Sequence, residues 1–567
     1  MAKKFGFPKK SKNASARKVE KVLQEQTDFY EEGVELEELG ERWILSDIKK
    51  TLNFYYQAVT TYNAGLQCTV NQSDKTSYNI AYNRLTLLLK LQSEYKHVNG
   101  DTDILVYVVG LAPDLLSMLF PENMVCQLLS QFDELMVQSE SNGLATWDLY
   151  YNYLTAILLF LNTRDSYMAD VTGAEIVQLS DKFSYIFKKL IDYHVEFFDS
   201  IQPNILSEEE KTRQELLEYP NLEKDEFLKS SSFDVNTGEG IRLANNNTPI
   251  SNDSNANTNK QSQNMTEFVE SSSSMSWESY FDTLTVANTF VNEILELIIS
   301  HNSTESHAGG SQLTITGNDF QKNYIINSMN KLHSQIIGLF ETSRASLQQP
   351  FVEQAPATDS TKELTLSLRY TDYLTHYSEY SYLWNKLNEV DPQTCDSPDY
   401  LLNEIDFLRL VCNLDNVATF FSAEDRWSMV TKLDKFLVRA IQLVSKEKSN
   451  IAIGLIKDRD NELSPLTTTL SRLYIRRSEN ELNRLSLQKQ KYESLQASLQ
   501  VSQEEQQKQM ESAEKTITVL QKNVVMLCTN AINVAKQSCG VREYINDKLV
   551  RNSVYQEATE LQASISF

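Results

Sequence analysis

Proline and glycine are scarce in this chain of 567 residues, at 11 and 16 positions. A sheet-rich protein needs turn residues in quantity, so their scarcity points to an all-α fold. The six cysteines, Cys68, Cys126, Cys395, Cys412, Cys528 and Cys539, form no CxxC pair. Buried free thiols of a reducing compartment are expected in place of disulfides or a zinc site. No apolar run approaches the roughly 18 residues of a membrane span. The richest, 150–161, is too short and is broken by Asn152. The chain also lacks GxxxxGK[ST], GxGxxG and GxSxG, the sequences that cradle phosphates or present a nucleophile. Its six histidines stand at no metal-ligand spacing, the nearest pair being His301 and His307. No catalysis, metal or cofactor is expected.

Positive charge is also short. Fifty-three Lys and Arg face 77 Asp and Glu, a net charge of −24. Phosphate contacts need clustered cations, so direct nucleic-acid binding by the body is not expected. An acidic body attracts basic partners at long range, or merely keeps the chain soluble. The basic exception is the amino-terminal arm, residues 1–18, with Lys3, Lys4, Lys9, Lys10, Lys12, Arg17 and Lys18 and no acid. It has no apolar core for a secretory signal. It reads either as a nuclear localisation patch or as a disordered solubilising tail. Cytoplasm, nucleus or both follow as the expected compartments.

What is abundant is helical periodicity. In 43–66 the residues Leu52, Tyr55, Tyr56, Val59, Tyr62 and Leu66 fall on one helix face. Asp47 is placed to cap that helix, and Gly65 to stop it. A first helix over about 19–44 precedes it, joined at Ser46 and Asp47, and Glu31, Glu32, Glu35, Glu37, Glu38 and Glu41 make it an acidic strip. A third stripe follows through Tyr78, Ala81, Tyr82, Leu85, Leu89 and Gln92, then helices at about 103–120 and 123–139.

The segment TLNFYYQAV resembles the second helix of a tetratricopeptide repeat, with Thr51 at the family's small position, Tyr55 at its ring and Ala58 at its alanine. The preceding helix matches poorly, since Gly40 is one residue out of register and Trp43 misses the family's tryptophan. A second sign of repetition is that Trp147, Tyr150, Tyr151, Leu154 and Thr155 recur 130 residues later as Trp277, Tyr280, Phe281, Leu284 and Thr285. This spacing resembles a first tetratricopeptide helix, with Tyr151 and Phe281 in place of its small residue. Either the two are diverged repeats with wider packing, or two aromatic amphipathic helices coincide.

The resemblance implies an all-α solenoid of helical hairpins that bury their faces by stacking. It also implies a groove, in which Asn79, Asn83 and Arg84, with Lys90, are the nearest candidates for gripping a carboxylate, although they do not match the family's clamp as a set. The acidic strip is the candidate surface for a basic ligand.

Composition divides the array. Acids crowd 208–226, and 245–264 holds eight Asn in twenty residues, which cannot bury enough apolar surface to offset the entropy of ordering. The expected organisation is a helical region over 19–227, a disordered acidic and Asn-rich linker or loop over 228–263, a second helical region over 264–446, and a C-terminal segment over 447–567. A shorter Gly-containing loop is expected over 301–317. From Leu466 to Cys539 neither Pro nor Gly occurs, which predicts a long helix or helical hairpin projecting from the body. Its polar middle is too long for a sustained coiled coil. The function expected is a non-enzymatic protein-binding scaffold, an adaptor or assembly chaperone for a basic or nucleic-acid-associated client. The alternative is a structural subunit of a large complex.

Overall fold

The computed structural model describes residues 23–98, 102–163, 172–218, 276–301, 319–347, 359–377, 379–412, 421–454, 462–497, 503–540 and 543–565. The basic arm, the linker over 228–263 and almost all of the loop over 301–317 lie outside them. Every regular element among the described residues is helical, apart from one isolated bridge between Val98 and Thr102.

Helices α1 (Gln26–Glu41) and α2 (Ile48–Gln67) form the expected hairpin. Asp47 caps α2 by accepting from the Lys50 amide at 3.1 Å. Leu52, Tyr55, Val59 and Tyr62 are buried, while Tyr56 and Leu66 are half-buried. Gly65 has a different part from the expected stop signal. It lies inside α2, and a Cβ there would fall 2.8 Å from the Phe29 Cβ on α1, so it permits close helix approach. Helix α3 (Asp74–Leu91) is capped by Ser73 and buries both sides, with Tyr78, Leu85 and Leu89 on one and Ile80, Leu87 and Leu91 on the other.

The helix expected over 103–120 is broken. A short 3₁₀ turn, Ile104–Tyr107, is followed by Gly110 at φ +79° and then by α4 (Pro113–Leu119). Pro113 lacks an amide hydrogen to continue the earlier turn and begins a new helix instead. After α5 (Met124–Asn142), ended by Gly143 at φ +65°, come α6 (Trp147–Asn162), α7 (Gly173–Glu218), α8 (Trp277–His301) and α9 (Asp319–Leu347). Two shorter helices follow, α10 (Asp359–Thr375) and α11 (Tyr380–Glu389). Next are α12 (Pro398–Cys412) and α13 (Ala423–Ala452), the latter opened by a Ser422–Asp425 capping box.

The C-terminal segment is a hairpin of α14 (Leu463–Ala497) and α15 (Gln503–Ala535), followed by α16 (Ile545–Ser564). Ser471 Oγ donates to the Ala531 carbonyl at 2.9 Å and Ser478 Oγ lies 3.0 Å from Cys528 Sγ, so the two helices run antiparallel. Beyond Leu485 the described side chains of α14 are exposed or half-buried, as the polar middle predicts.

Neighbouring helices stack along the chain, and one hydrophobic core runs from Leu36 to Val550. The array also returns on itself, because α16 packs against the Ile104–Tyr107 turn and the Tyr107 hydroxyl donates to Gln556 Oε1 at 2.9 Å. The cysteines differ from expectation: Cys528 and Cys539 are buried, Cys126 is exposed and the other three are intermediate, all of them as free thiols.

Candidate protein-binding surfaces

The strip on α1 divides by helical geometry. Gly33, Leu36 and Gly40 face α2 and are buried, so residues 31, 35 and 38, at i, i+4 and i+7, must face outward. Glu31, Glu35 and Glu38 are accordingly exposed, and Glu32 is half-buried. Glu38 makes an exposed pair with Arg42 at 3.6 Å. Glu37 and Glu41 are engaged in the helix packing. The Tyr62 hydroxyl donates to Glu37 Oε1, and burial, with that carboxylate beside it, pushes the phenol far above its usual range. Asn83 hydrogen-bonds the same hydroxyl and pulls the other way. Lys90 Nζ meets Glu41 Oε1 at 3.1 Å and lies 5.8 Å from the centre of the Tyr55 ring.

Two groups of residues singled out in the sequence are thus brought together, partly as partners of one another. Glu37 and Asn83 share Tyr62, and Glu41 holds Lys90. Asn79 and Arg84 are half-buried on α3, and burial lowers the Arg84 pKa. The lysines of the arm, Lys3, Lys4, Lys9, Lys10 and Lys12, lie outside the described residues.

The aromatic echo has a physical basis. Trp147 on α6 and Trp277 on α8 both pack on α7, one turn apart: Trp147 lies 6.0 Å from His194, and Trp277 stacks on Phe198 at 4.0 Å and 9°. His194 is fully buried between them, bonded to Thr283 Oγ1 at 3.3 Å, and burial lowers its pKa to about 4. The imidazole is therefore neutral near pH 7.

Along the same stretch of α7 the chain forms a surface that sequence reasoning missed. Helices α7 and α9 run in the same direction as two walls. At one end of this surface the Tyr324 hydroxyl donates to Asp181 Oδ1 at 3.2 Å, and at the other end the two helices meet α8 at Phe198–Trp277 and at Ser343, which hydrogen-bonds Tyr280. Helix α8 runs the other way beneath them, locked to α7 by the Phe183–Phe290 stack at 3.8 Å. The trough between the walls has a volume of about 1150 Å³. Its base is apolar, with Phe187, Ile191 and Leu332 buried, and its rim exposes Tyr185 by 43%, Val195 by 45% and Tyr324 by 44%. The available signal was two apolar residues on α7, Tyr185 and Val195, off the face that carries Phe183, Leu190 and His194. Among the described residues there is no group of three or more His, Cys, Asp or Glu able to hold a metal ion. No described helix is long and apolar enough to cross a membrane.

Comparison with known proteins places this surface in a matched region. Residues 168–354, which include α7, α8 and α9, match the family model described as the YNL193W-like protein middle domain. Residues 393–565, from before α12 to the end of α16, match the one described as the YNL193W C-terminal domain. The uncharacterized protein YNL193W of Saccharomyces cerevisiae is 26% identical over 562 residues, covering 97% of this chain and 91% of its own length. A solved circular tandem repeat protein, described as having novel repeat topology and enhanced subunit contact surfaces, aligns over 95% of this chain and 97% of its own, at 8% identity. Its TM-score is 0.21, too low to indicate a shared fold. In its middle and C-terminal regions, and over nearly its whole length, the chain is similar to the YNL193W type of protein.

Proposed function

We propose that the protein is a non-enzymatic binding scaffold, an adaptor or assembly chaperone that holds a basic client on its acidic exterior in the cytoplasm, the nucleus or both. The observation that carries this reading is the outward stripe Glu31, Glu35 and Glu38 on α1, a helix whose other face is fixed by close packing on α2. A helix fixed in place that presents carboxylates at successive turns is complementary to a cationic surface, and the net charge of −24 draws such a surface in at long range. The tetratricopeptide resemblance of α2 supports the same reading as a likeness in hairpin design. Affinity purification with mass spectrometry tests it: the wild-type chain retains basic or nucleic-acid-associated proteins, and the triple variant Glu31→Lys, Glu35→Lys, Glu38→Lys loses them. A captured set without basic proteins contradicts it.

A second reading is a structural subunit that docks through the α14–α15 hairpin. It is favoured by Val519 and Met526, a heptad apart on α15 and exposed by 56% and 52%. Size-exclusion chromatography with light scattering separates the two. A monodisperse monomer fits the scaffold, whereas aggregation or a need for co-expression fits the subunit.

A further inference from the structure

The trough between α7 and α9 is a built surface that the acidic stripe on α1 does not use. Measured along α7 from Asp181 to Phe198, it is about 26 Å long at 1.5 Å per residue, the length of a helix of about 17 residues. Its volume of about 1150 Å³ exceeds the roughly 300–1,000 Å³ of ordinary small-molecule sites. Two helical walls over a helical base offer ridges and grooves to another helix.

Gly338 carries the inference further. It lies in the interior of α9, on the trough wall, and a Cβ there would meet nothing within 4 Å. Glycine in a helix interior costs about 1 kcal/mol relative to alanine, and at this position no described residue requires it. The backbone is left bare towards the trough, where an incoming helix can approach closely.

Charge decides what kind of helix fits. The charged residues lining the trough are Lys188, Lys331 and Asp181. Asp181 accepts from Tyr324. Lys188 and Lys331 are exposed on opposite walls, and neither makes an ion pair among the described residues. In a chain with 24 more acids than bases, an apolar trough rimmed by two such cations is complementary to an apolar helix edged with carboxylates. We infer that the α7–α9 trough is the docking site for an acidic amphipathic helix of a partner protein. An adaptor would then hold two partners of opposite charge on separate surfaces.

The test is a display selection of helix-favouring peptides about 17 residues long on the full chain, followed by titration of the enriched clones. The expected clones carry apolar residues at i, i+3, i+4 and i+7 and a net negative charge. Their affinity should fall about tenfold or more with Lys188→Glu combined with Lys331→Glu, and by a similar factor with Gly338→Leu, which fills the approach. A Cβ at 338 meets nothing within 4 Å and leucine improves helix propensity, and an unchanged denaturation midpoint for Gly338→Leu separates its loss of binding from a loss of folding. Failure to enrich, enrichment of basic clones, or equal binding to Gly338→Leu overturns the inference. Self-association abolished by Gly338→Leu would give the trough to a second copy, and enrichment only after deletion of 219–275 would give it to this chain itself. Either result also overturns the inference. None of these outcomes depends on Glu31, Glu35 or Glu38, so the two readings fail separately.

Discussion

A Cβ placed on Gly33 of α1 would lie 2.2 Å from Cε1 of Tyr62 on α2. Gly40 meets Tyr55 in the same way at 2.5 Å, so each of two glycines on one helix receives a ring from the other. The rings are buried because the glycines leave space for them, and the Tyr62 hydroxyl reaches Glu37 through that contact. Gly33→Ala gains helix propensity but forces the ring aside. A net loss of about 1–3 kcal/mol is expected from overpacking, read as a lower midpoint in chemical denaturation.

Gly338→Ala should do the reverse. With open space around its position, only propensity and chain entropy change. A gain of about 0.5–1 kcal/mol is expected in the same assay.

Stability should fall in acid through two buried histidines. Burial lowers His194 and His97 from 6.5 to about 4. The unfolded chain therefore binds more protons between these values, and stability is lost as pH drops from about 6.5 towards 4. The slope is at most about 1.4 kcal/mol per pH unit for each histidine. Denaturation midpoints at several pH values across this window check it, and His194→Gln should flatten the dependence.

The last helix is held by a buried ion pair. Arg551 Nη2 donates to Glu543 at 2.6 and 2.8 Å and its Nη1 to the Ala535 carbonyl at 2.6 Å. Arg551→Leu leaves Glu543 buried with Ser464 as its one remaining side-chain donor among the described residues, at a cost of about 3–5 kcal/mol. Hydrogen exchange should show α16 opening first, and adding Glu543→Leu should recover much of the loss.

The all-α fold was legible because scarcity of Pro and Gly and a period near 3.6 both act locally. The α1–α2 hairpin, the capping Asp47 and the packed stripe through Tyr62 needed little beyond spacing. Other features depend on partners remote in sequence. Gly65 reads as a terminator until Phe29 is seen against it, and Glu37 and Glu41 read as solvated acids until Tyr62 and Lys90 reach them. The helix expected over 103–120 failed because Gly110 and Pro113 outweighed the apolar period. The trough was hidden because its walls come from helices more than a hundred residues apart along the chain, and no local period reports such a juxtaposition.

The scaffold reading is tested most directly by titrating one purified basic client against the full chain at low and at physiological salt, with wild type beside the Glu31→Lys, Glu35→Lys, Glu38→Lys variant. The expected result is binding that weakens as salt rises, and a loss of about tenfold or more in the variant at low salt. Equal affinity of the two chains for that client at both salt concentrations would contradict it.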